Sequence, residues 1–282
     1  MAREVNPNAP TINDILSYLT SLYNDGMSYS SIGTARSALS NLIHIPGISA
    51  IGEHPLVKRL MRGIYNNRPP LPKYSFIWDT KILINYFRTM NNEELTFKLL
   101  TMKAVTLITL LTGQRVSTIR MLKLSDMFLS ADAVIFSISG LLKHSKPGKQ
   151  IPPVKLGRYV PDRNLCPVLT LNSYLTQRNA VVGADVQQVF VTYGKPHHPA
   201  SKDTLARWIK DMFTLAGIDI NMFKPHSCRA ASTSKAGANG VPVESILNSA
   251  QWANDCVYYK HYCKTIVNAA LDPVFQNSIL EH

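Results

Sequence analysis

The 282-residue sequence is poor in cysteine, poor in acidic residues, and without an apolar run long enough to cross a membrane. Its longest apolar run, residues 99–111, is interrupted by Lys103, whereas a spanning helix needs about 20 apolar residues. The four cysteines are Cys166, Cys228, Cys256 and Cys263. They form no CxxC pair, which argues against a zinc site or a disulfide framework and predicts reduced intracellular thiols. The first ten residues contain no apolar stretch, so no secretory signal is predicted.

The scarcity of acids leaves a strongly basic chain. Lys and Arg total 30 against 18 Asp and Glu, giving a net charge of +12 and an isoelectric point near 9.6. Hydrophobic residues make up 45% of the chain, which is typical of a folded globular protein. The charge surplus favours a polyanionic partner, most simply nucleic acid, over the alternative of an ordinary solvated basic surface. The adjacent His197 and His198 have no further ligand group near them in sequence, so no metal site is predicted.

Three amphipathic segments in the first third of the chain predict helices, beginning near Ile12, Ile32 and Leu56. The proline-rich stretch 66–74 then interrupts the pattern, because proline removes helix donors. We therefore predict a helical DNA-binding domain over residues 1–68, a linker over 69–74 and a second domain over 75–282. The proposed phosphate-facing side chains of the first domain are Arg36, Lys58, Arg59, Arg62 and Arg68. For each of them, a merely solvated position is the alternative.

The second domain is predicted to be mainly helical with a small sheet. Alternating apolar residues at Val134, Phe136 and Ile138 indicate a strand, and residues 189–193 a further short strand. The dipeptide Pro147-Gly148 predicts a hairpin with Lys143 just before its tip. The predicted helices of this domain are 79–88, 93–111, 168–177, 204–215, 227–235, 243–250 and 255–265.

Several residues of this domain could act on a phosphate. Arg115 follows the helix break at Gly113 and begins a new helix, where a guanidinium could bind phosphate or simply pair with a carboxylate. His226 and Arg229 are three residues apart on one helix face and offer a proton-transfer group beside a fixed positive charge. Tyr262 could be a nucleophile if nearby arginines stabilise its ionised form. The alternative is a tyrosine of the helical core, as for most tyrosines at helical spacing.

Five stretches occur in the order that is typical of one enzyme family. They are TGQR at Thr112–Arg115, KHSKPG at Lys143–Gly148, PHSCRAASTSKA at Pro225–Ala236, GVPVESILNSAQW at Gly240–Trp252 and YYKHYCK at Tyr258–Lys264. Together they resemble the tyrosine recombinases of the phage integrase superfamily, and most closely the eukaryotic branch carried by mobile elements of the DIRS, Ngaro and Crypton type. The resemblance implies a mainly α fold with a small antiparallel sheet, in which a helical, SAM-like core-binding domain precedes the catalytic domain.

The resemblance also implies roles for six residues. The expected catalytic set is Arg115, Lys143, His226, Arg229, Trp252 and Tyr262. Tyr262 is favoured over Tyr258 as the nucleophile because the mobile-element branch places it ten residues after the position held by Trp252. Thr118 departs from the pattern, since bacterial members usually carry Glu or Asp there, an acid that supports the site without reacting.

The implied activity is metal- and cofactor-independent cleavage and rejoining of double-stranded DNA through a 3′-phosphotyrosyl bond. It implies a synaptic tetramer on DNA, no membrane association and action in the nucleus of a host cell. Two alternatives stay open from the sequence. One is a DNA-binding protein derived from a mobile element that has lost catalysis, which Thr118 favours mildly. The other is a type IB topoisomerase-like enzyme that relaxes DNA without strand exchange.

Overall fold

The computed structural model describes residues 10–71, 75–142, 145, 148, 150–183, 185–252 and 254–266. The chain forms two compact units, residues 1–73 and 74–282, which divide at the end of the predicted linker. Helices account for 53% of the described residues, so the predicted mainly α fold with a small antiparallel sheet is confirmed. No helix in the described ranges is both long and apolar enough to span a lipid bilayer.

The described part of the N-terminal unit, residues 10–71, contains three helices and a short 3₁₀ turn. They are α1 (Ile12–Asn24), α2 (Tyr29–Leu42), the turn Ile51–Glu53 and α3 (Pro55–Asn67). Thr11 and Asp14 form a reciprocal capping box that fixes the start of α1. A small core is formed where one apolar stripe from each helix meets, with Leu19, Ile32 and Val57 fully buried.

The second unit contains eight helices and five short strands within the described residues. In chain order they are β1 (Phe76–Ile77), α4 (Thr80–Arg88), α5 (Phe97–Thr112), α6 (Val116–Arg120), β2 (Met127–Leu129), β3 (Ala133–Phe136), β4 (Val154–Gly157), α7 (Pro167–Asn179), α8 (Lys202–Ala216), α9 (Ser227–Ala238), α10 (Val243–Ala250), α11 (Asp255–His261) and β5 (Thr265–Ile266). Most predicted helices are found within a few residues of their expected bounds.

Helix α5 is the central element, because it packs against α7, α8 and α9 and is buried along most of its length. The sequence predicted a start at residue 93, but the helix begins at Phe97. The reason is local: the Thr96 hydroxyl caps the helix by accepting from the backbone N–H of Leu99. At its other end Gly113 adopts φ 60°, a left-handed conformation that suits glycine and turns the chain toward Arg115.

Strands β2, β3 and β4 form an antiparallel sheet in which Val134 pairs with Leu156 and Phe136 with Val154. The prediction of a strand over residues 189–193 was wrong. Part of its backbone bonds to a side chain of α7: the Tyr174 hydroxyl donates to the Val189 carbonyl, and the Val191 N–H donates to that hydroxyl. Other groups bond to separate backbone segments, since the Val189 N–H donates to the Leu122 carbonyl and the Phe190 carbonyl accepts from the Ala200 N–H. The hydrogen bonds are thus divided among several partners, and the described residues of this segment form only isolated bridges and no ladder.

The prediction that the last helix runs to residue 265 was also wrong. Helix α11 ends at His261, since the N–H groups of Tyr262 and Cys263 both donate to the Tyr258 carbonyl at 2.8 Å. The chain then enters β5, which pairs in parallel with β1 through Thr265 opposite Phe76. Tyr262 therefore lies at the junction between a helix and a strand, not inside a helix.

Candidate active site

Arg229 lies at the centre of the site, on the first turn of α9, with its side chain 2% exposed. Its guanidinium donates to two backbone carbonyls, that of Gly113 at 2.7 Å and that of Ala250 at 2.6 Å. These carbonyls lie at the C-terminal ends of α5 and α10, where helices leave carbonyl groups without intrahelical partners. Neither acceptor carries a charge, so the guanidinium is held rigidly without being neutralised.

Two aromatic rings lie against this guanidinium. The Arg229 Cζ atom is 4.3 Å from the ring centre of Trp252 and 5.4 Å from that of Tyr262. The two rings are themselves in contact, with centres 4.4 Å apart and planes inclined by 38°. Burial is the main cause that lowers the pKa of Arg229 to about 9; the positive charge of Arg115 acts in the same direction, whereas Tyr262 opposes both. Arg229 therefore stays protonated at neutral pH.

The hydroxyl of Tyr262 faces a histidine. Its Oη atom lies 3.4 Å from Nε2 of His226, the residue that immediately precedes α9 and is exposed to solvent. The backbone around Tyr262 is fixed from α9 as well, because the Ser234 hydroxyl donates to the Tyr262 carbonyl and accepts from the Lys264 N–H at 3.1 Å. A phenol with a base within one hydrogen bond of it is the arrangement expected of a tyrosine nucleophile.

The structure distinguishes the two competing tyrosines. Tyr258 is 2% exposed, and burial raises its pKa to about 12. A Cβ atom added to Gly237 would lie 2.2 Å from the Tyr258 hydroxyl, so that hydroxyl packs directly on the α9 backbone. Tyr258 is a core residue of the α10–α11 contact, while Tyr262 is only half-buried and belongs to the Arg229 cluster. The neighbouring Tyr259 is 55% exposed.

Arg115 immediately precedes α6 and is half-buried. Its positive charge is among the causes that lower the pKa of Arg229. Thr118, where an acid was expected from the resemblance, is 1% exposed. Lys143 lies outside the described residues, within the sequence that connects β3 and β4, and its role stays a prediction.

Three side chains that the sequence analysis did not single out hold the site together. The Gln114 amide donates to the Ser249 carbonyl at 2.6 Å, and the Ser249 hydroxyl donates to the Thr112 carbonyl at 3.0 Å. These bonds fasten the turn before Arg115 to α10. Gln251 donates to the Pro152 carbonyl at 2.8 Å. The local sequence does not predict these three hydrogen bonds, because each joins residues that are about a hundred positions or more apart.

The predicted DNA-facing residues of the N-terminal unit have different surroundings. Arg59 and Arg62 are exposed on α3. Lys58 pairs with Glu53 at 2.5 Å, an exposed ion pair of small energetic weight. Arg68 donates to the carbonyls of Tyr23 and Met27 and lies 4.3 Å over the Tyr23 ring, so it fastens α3 to the α1–α2 turn. Arg36 is half-buried, with its Nε atom enclosed near Gly52.

Comparison with known proteins agrees with the family resemblance found in the sequence. Residues 85–266 match the sequence profile of the phage integrase family. No curated protein is similar to the chain in sequence. The structure is similar to XerH site-specific recombinase bound to its difH substrate in a post-cleavage complex, with a TM-score of 0.62 at 14% identity over 96% of this chain and 72% of that one.

Two further solved structures share the fold. The Tn1549 transposon integrase in complex with circular intermediate DNA gives a TM-score of 0.60 at 13% identity, covering 97% of this chain and 86% of that one. A lambda integrase dimer bound to a COC′ core site gives 0.54 at 15% identity, covering 96% and 85%. At such identities the likeness concerns the fold alone. The profile match spans more than half of the chain and includes the cluster of Arg229, Trp252 and Tyr262, and on this basis the chain belongs to the phage integrase family, the tyrosine recombinases.

Proposed function

We propose that this protein is a site-specific DNA recombinase that cleaves and rejoins strands through a 3′-phosphotyrosyl intermediate on Tyr262. The observation that carries the proposal is the contact of the Tyr262 phenol with a buried, charged Arg229 on one side and with His226 Nε2, 3.4 Å away, on the other. Family membership supports it, and the structures of similar fold include recombinases and integrases bound to DNA.

In the cleavage step, Tyr262 Oη attacks the scissile phosphorus and transfers its proton to His226 Nε2. A P–O bond to the phenol forms while the bond to the 5′-oxygen of the next nucleotide breaks. The departing 5′-oxygen takes a proton, for which Lys143 is the proposed donor. A 5′-hydroxyl, from the same or another strand, then attacks the phosphotyrosine and reverses the step, so the phosphodiester is conserved in the covalent intermediate.

Charge develops on the non-bridging oxygens as the phosphorus becomes five-coordinate. Arg229 provides a positive charge that its two carbonyl contacts hold in place before substrate arrives, so little reorganisation is needed. Within the described residues, the Nε atom of Arg229 and the indole N–H of Trp252 are buried donors with no hydrogen-bond partner. Such groups are costly unless a ligand uses them, and phosphate oxygens would satisfy both.

The Tyr262 ring lies against both side chains, with its centre 4.4 Å from that of the Trp252 ring and 5.4 Å from the Arg229 Cζ atom. A phosphate that binds both donors would compete with the phenol ring for the space beside these side chains. We therefore propose that DNA binding moves the Tyr262 ring off Trp252 and brings Oη into line with the scissile bond. Arg115, whose charge already acts on Arg229, is proposed to bind the same phosphate.

For the N-terminal unit we propose contact with the DNA backbone through α3. Arg59 and Arg62 are exposed there and are three residues apart, so they project from one side of the helix. Lys58 can join them by exchanging its exposed Glu53 partner for a phosphate, whereas Arg68 is engaged within the unit and Arg36 is half-buried. These contacts would position the protein on DNA without reading sequence.

The biological setting is proposed from the sequence. The ten-residue spacing from Trp252 to Tyr262 supports an origin in a eukaryotic mobile element of the DIRS, Ngaro or Crypton type, which would act in the host nucleus. Strand exchange between two duplexes requires four cleavage sites, and hence a synaptic tetramer. The dimeric state of the DNA-bound lambda integrase of similar fold supports assembly on DNA.

The test is covalent trapping on nicked duplexes of random sequence. A nick close to the cleavage site lets the short 5′-hydroxyl fragment diffuse away, so the phosphotyrosyl adduct accumulates. We expect wild-type protein to form an adduct that denaturing gel electrophoresis resolves, and Tyr262→Phe to form none. Tyr258→Phe is the matched control, because it removes a tyrosine hydroxyl one helical turn away and should retain the adduct.

Sequencing the trapped DNA would give the cleavage site and provide a defined substrate. Wild-type protein that binds DNA but never becomes linked to it would refute the enzyme proposal and favour a DNA-binding protein without catalysis. Loss of the adduct in Tyr258→Phe but not in Tyr262→Phe would show that the nucleophile is misassigned. Relaxation of a supercoiled plasmid with no exchange between two defined duplexes would indicate topoisomerase activity instead of recombination.

A further inference from the structure

One buried hydroxyl bonds to the backbone at Tyr262 and again two residues later. Ser234 lies within α9 and is 4% exposed. Its Oγ atom donates to the Tyr262 carbonyl and accepts from the Lys264 N–H at 3.1 Å. A hydroxyl has one proton and two lone pairs, so these bonds use its donor and one of its acceptor positions. A single side chain of α9 thus holds the chain on both sides of residue 263.

The hydroxyl acts where the chain changes from helix to strand. Helix α11 ends at His261 and β5 begins at Thr265, so the residues between them belong to neither element. The Tyr262 N–H donates back to the Tyr258 carbonyl at 2.8 Å, whereas the Tyr262 carbonyl bonds to Ser234. Backbone groups at such a junction need partners from outside helix and ladder, because an unpaired buried group is costly. Ser234 therefore fixes the orientation of the peptide group that follows the phenol-bearing residue.

The same helix carries the other groups of the proposed reaction. His226 immediately precedes α9 and Arg229 lies on its first turn. The Tyr262 Oη atom is 3.4 Å from His226 Nε2, and the Tyr262 ring centre is 5.4 Å from the Arg229 Cζ atom. Because a hydrogen-bonded helix keeps its residues at fixed spacings, α9 sets the distances between the base, the guanidinium and the serine that holds Tyr262.

We propose that Ser234 is a positioning residue for the nucleophile: its hydroxyl holds the Tyr262 backbone against α9, so that the phenol stays within reach of His226 and of a phosphate on Arg229. The inference rests on the proposed function. When the ring leaves Trp252 to attack, the held backbone limits its movement to rotation about side-chain bonds. Arg229 keeps its place without this hydroxyl, since its guanidinium donates to the carbonyls of Gly113 and Ala250.

The experiment compares two serines of one helix. Ser234→Ala removes the hydroxyl, and Ser234→Cys keeps a similar side-chain volume with a much weaker donor. Ser232→Ala is the matched control, because the half-buried Ser232 hydroxyl donates to the Leu110 carbonyl of α5 and not to the Tyr262 segment. Each alanine variant loses a serine–backbone hydrogen bond of α9, so both should lower Tm to a similar extent. Adduct formation is measured in single turnover on the nicked duplex, and DNA affinity by fluorescence anisotropy.

We expect Ser234→Ala to form adduct about tenfold more slowly than wild type, as for the loss of one positioned hydrogen bond. Ser234→Cys should also be slowed, which keeps the test valid if the alanine variant does not fold. Ser232→Ala should react at the wild-type rate, and all variants should bind DNA as wild type does. Unchanged rates in the Ser234 variants, equal slowing in Ser232→Ala, or slowing explained by weaker DNA binding would each overturn the inference.

A second readout needs no reaction. With 3-fluorotyrosine in place of Tyr262, fluorine NMR reports the surroundings of the ring, which lies beside the aromatic rings of Trp252 and His226. The signal should shift or broaden in Ser234→Ala and coincide with that of the otherwise unchanged protein in Ser232→Ala. An unchanged signal in Ser234→Ala would overturn the inference. Wild-type protein that forms no adduct would refute the proposed function instead, and the fluorine signal would still show whether Ser234 positions the ring.

Discussion

Lys103 offers a sharp test of how the core of the second unit tolerates charge. Its side chain is fully buried in α5, and its amine donates to the Met90 carbonyl at 2.5 Å and to Asn92 Oδ1 at 2.7 Å. Burial lowers the pKa of Lys103 to about 8, against a smaller opposing effect of Asp162. At neutral pH the amine is therefore charged inside the core, with neutral oxygens as its acceptors.

The size and sign of the effect follow from linkage. The pKa falls from its ordinary value of 10.5 to about 8, and each pKa unit corresponds to 1.36 kcal/mol, so the charged amine costs about 3 kcal/mol of folding free energy at neutral pH. The unfolded chain binds the proton more tightly. The folding free-energy cost of the charged amine therefore decreases as pH rises from about 8 to 10.5 and is fully present below pH 8.

We expect the difference in unfolding free energy between Lys103→Met and wild type to change by about 2 to 3 kcal/mol between pH 7 and pH 10. Urea unfolding followed by tryptophan fluorescence is the suitable assay, since Trp78, Trp208 and Trp252 all lie in the second unit. Both proteins contain the same buried tyrosines, whose raised pKa values lower the unfolding free energy as pH rises further. The difference between the two proteins removes this common contribution.

The matched control is Lys98→Met, on the exposed side of the same helix. It should give stability curves that run parallel to wild type over the whole pH range. Parallel curves for Lys103→Met as well would refute the reasoning, because they would show that the amine of Lys103 titrates alike in the folded and unfolded states.

Three further predictions concern the site and the DNA contacts. Gly237→Ala should lower the unfolding free energy by about 1 to 3 kcal/mol in urea titrations, because its Cβ would lie 2.2 Å from the Tyr258 hydroxyl, and Tyr258→Phe in the same chain should restore part of the loss. Additive losses would contradict that contact. Trp252→Phe keeps an aromatic ring but lacks the buried indole N–H, so adduct formation should slow about tenfold with unchanged DNA affinity, and an unchanged rate would exclude a phosphate contact for that group. Arg59→Ala and Arg62→Ala should each reduce the slope of log affinity against log salt by about one in binding titrations, whereas an unchanged slope would place α3 away from the DNA backbone.

Local chemistry made much of the fold predictable. The apolar pattern that starts near Ile12 forms α1, and Gly113 ends α5 so that Arg115 immediately precedes α6, because caps and breaks depend on interactions within a few residues of sequence. The spacing of apolar residues likewise indicates the buried face of each helix, because residues three or four positions apart lie on the same side. The order of the arginine, histidine, tryptophan and tyrosine residues was enough to indicate the family, which the profile match then showed.

The tertiary structure decided which partner each polar group takes. The segment around Val189 and Val191 is apolar enough for a strand, yet its backbone hydrogen bonds are divided between the Tyr174 side chain of α7 and separate backbone segments. Tyr258 and Tyr262 look alike in sequence, and only packing shows that one hydroxyl rests on Gly237 while the other faces His226. The sequence by itself determined which helices form and which reactive side chains the chain carries, since both depend on near neighbours. Which tyrosine meets Arg229, and which amide reaches Pro152, depended on residues far apart in the chain competing for the same donors and acceptors.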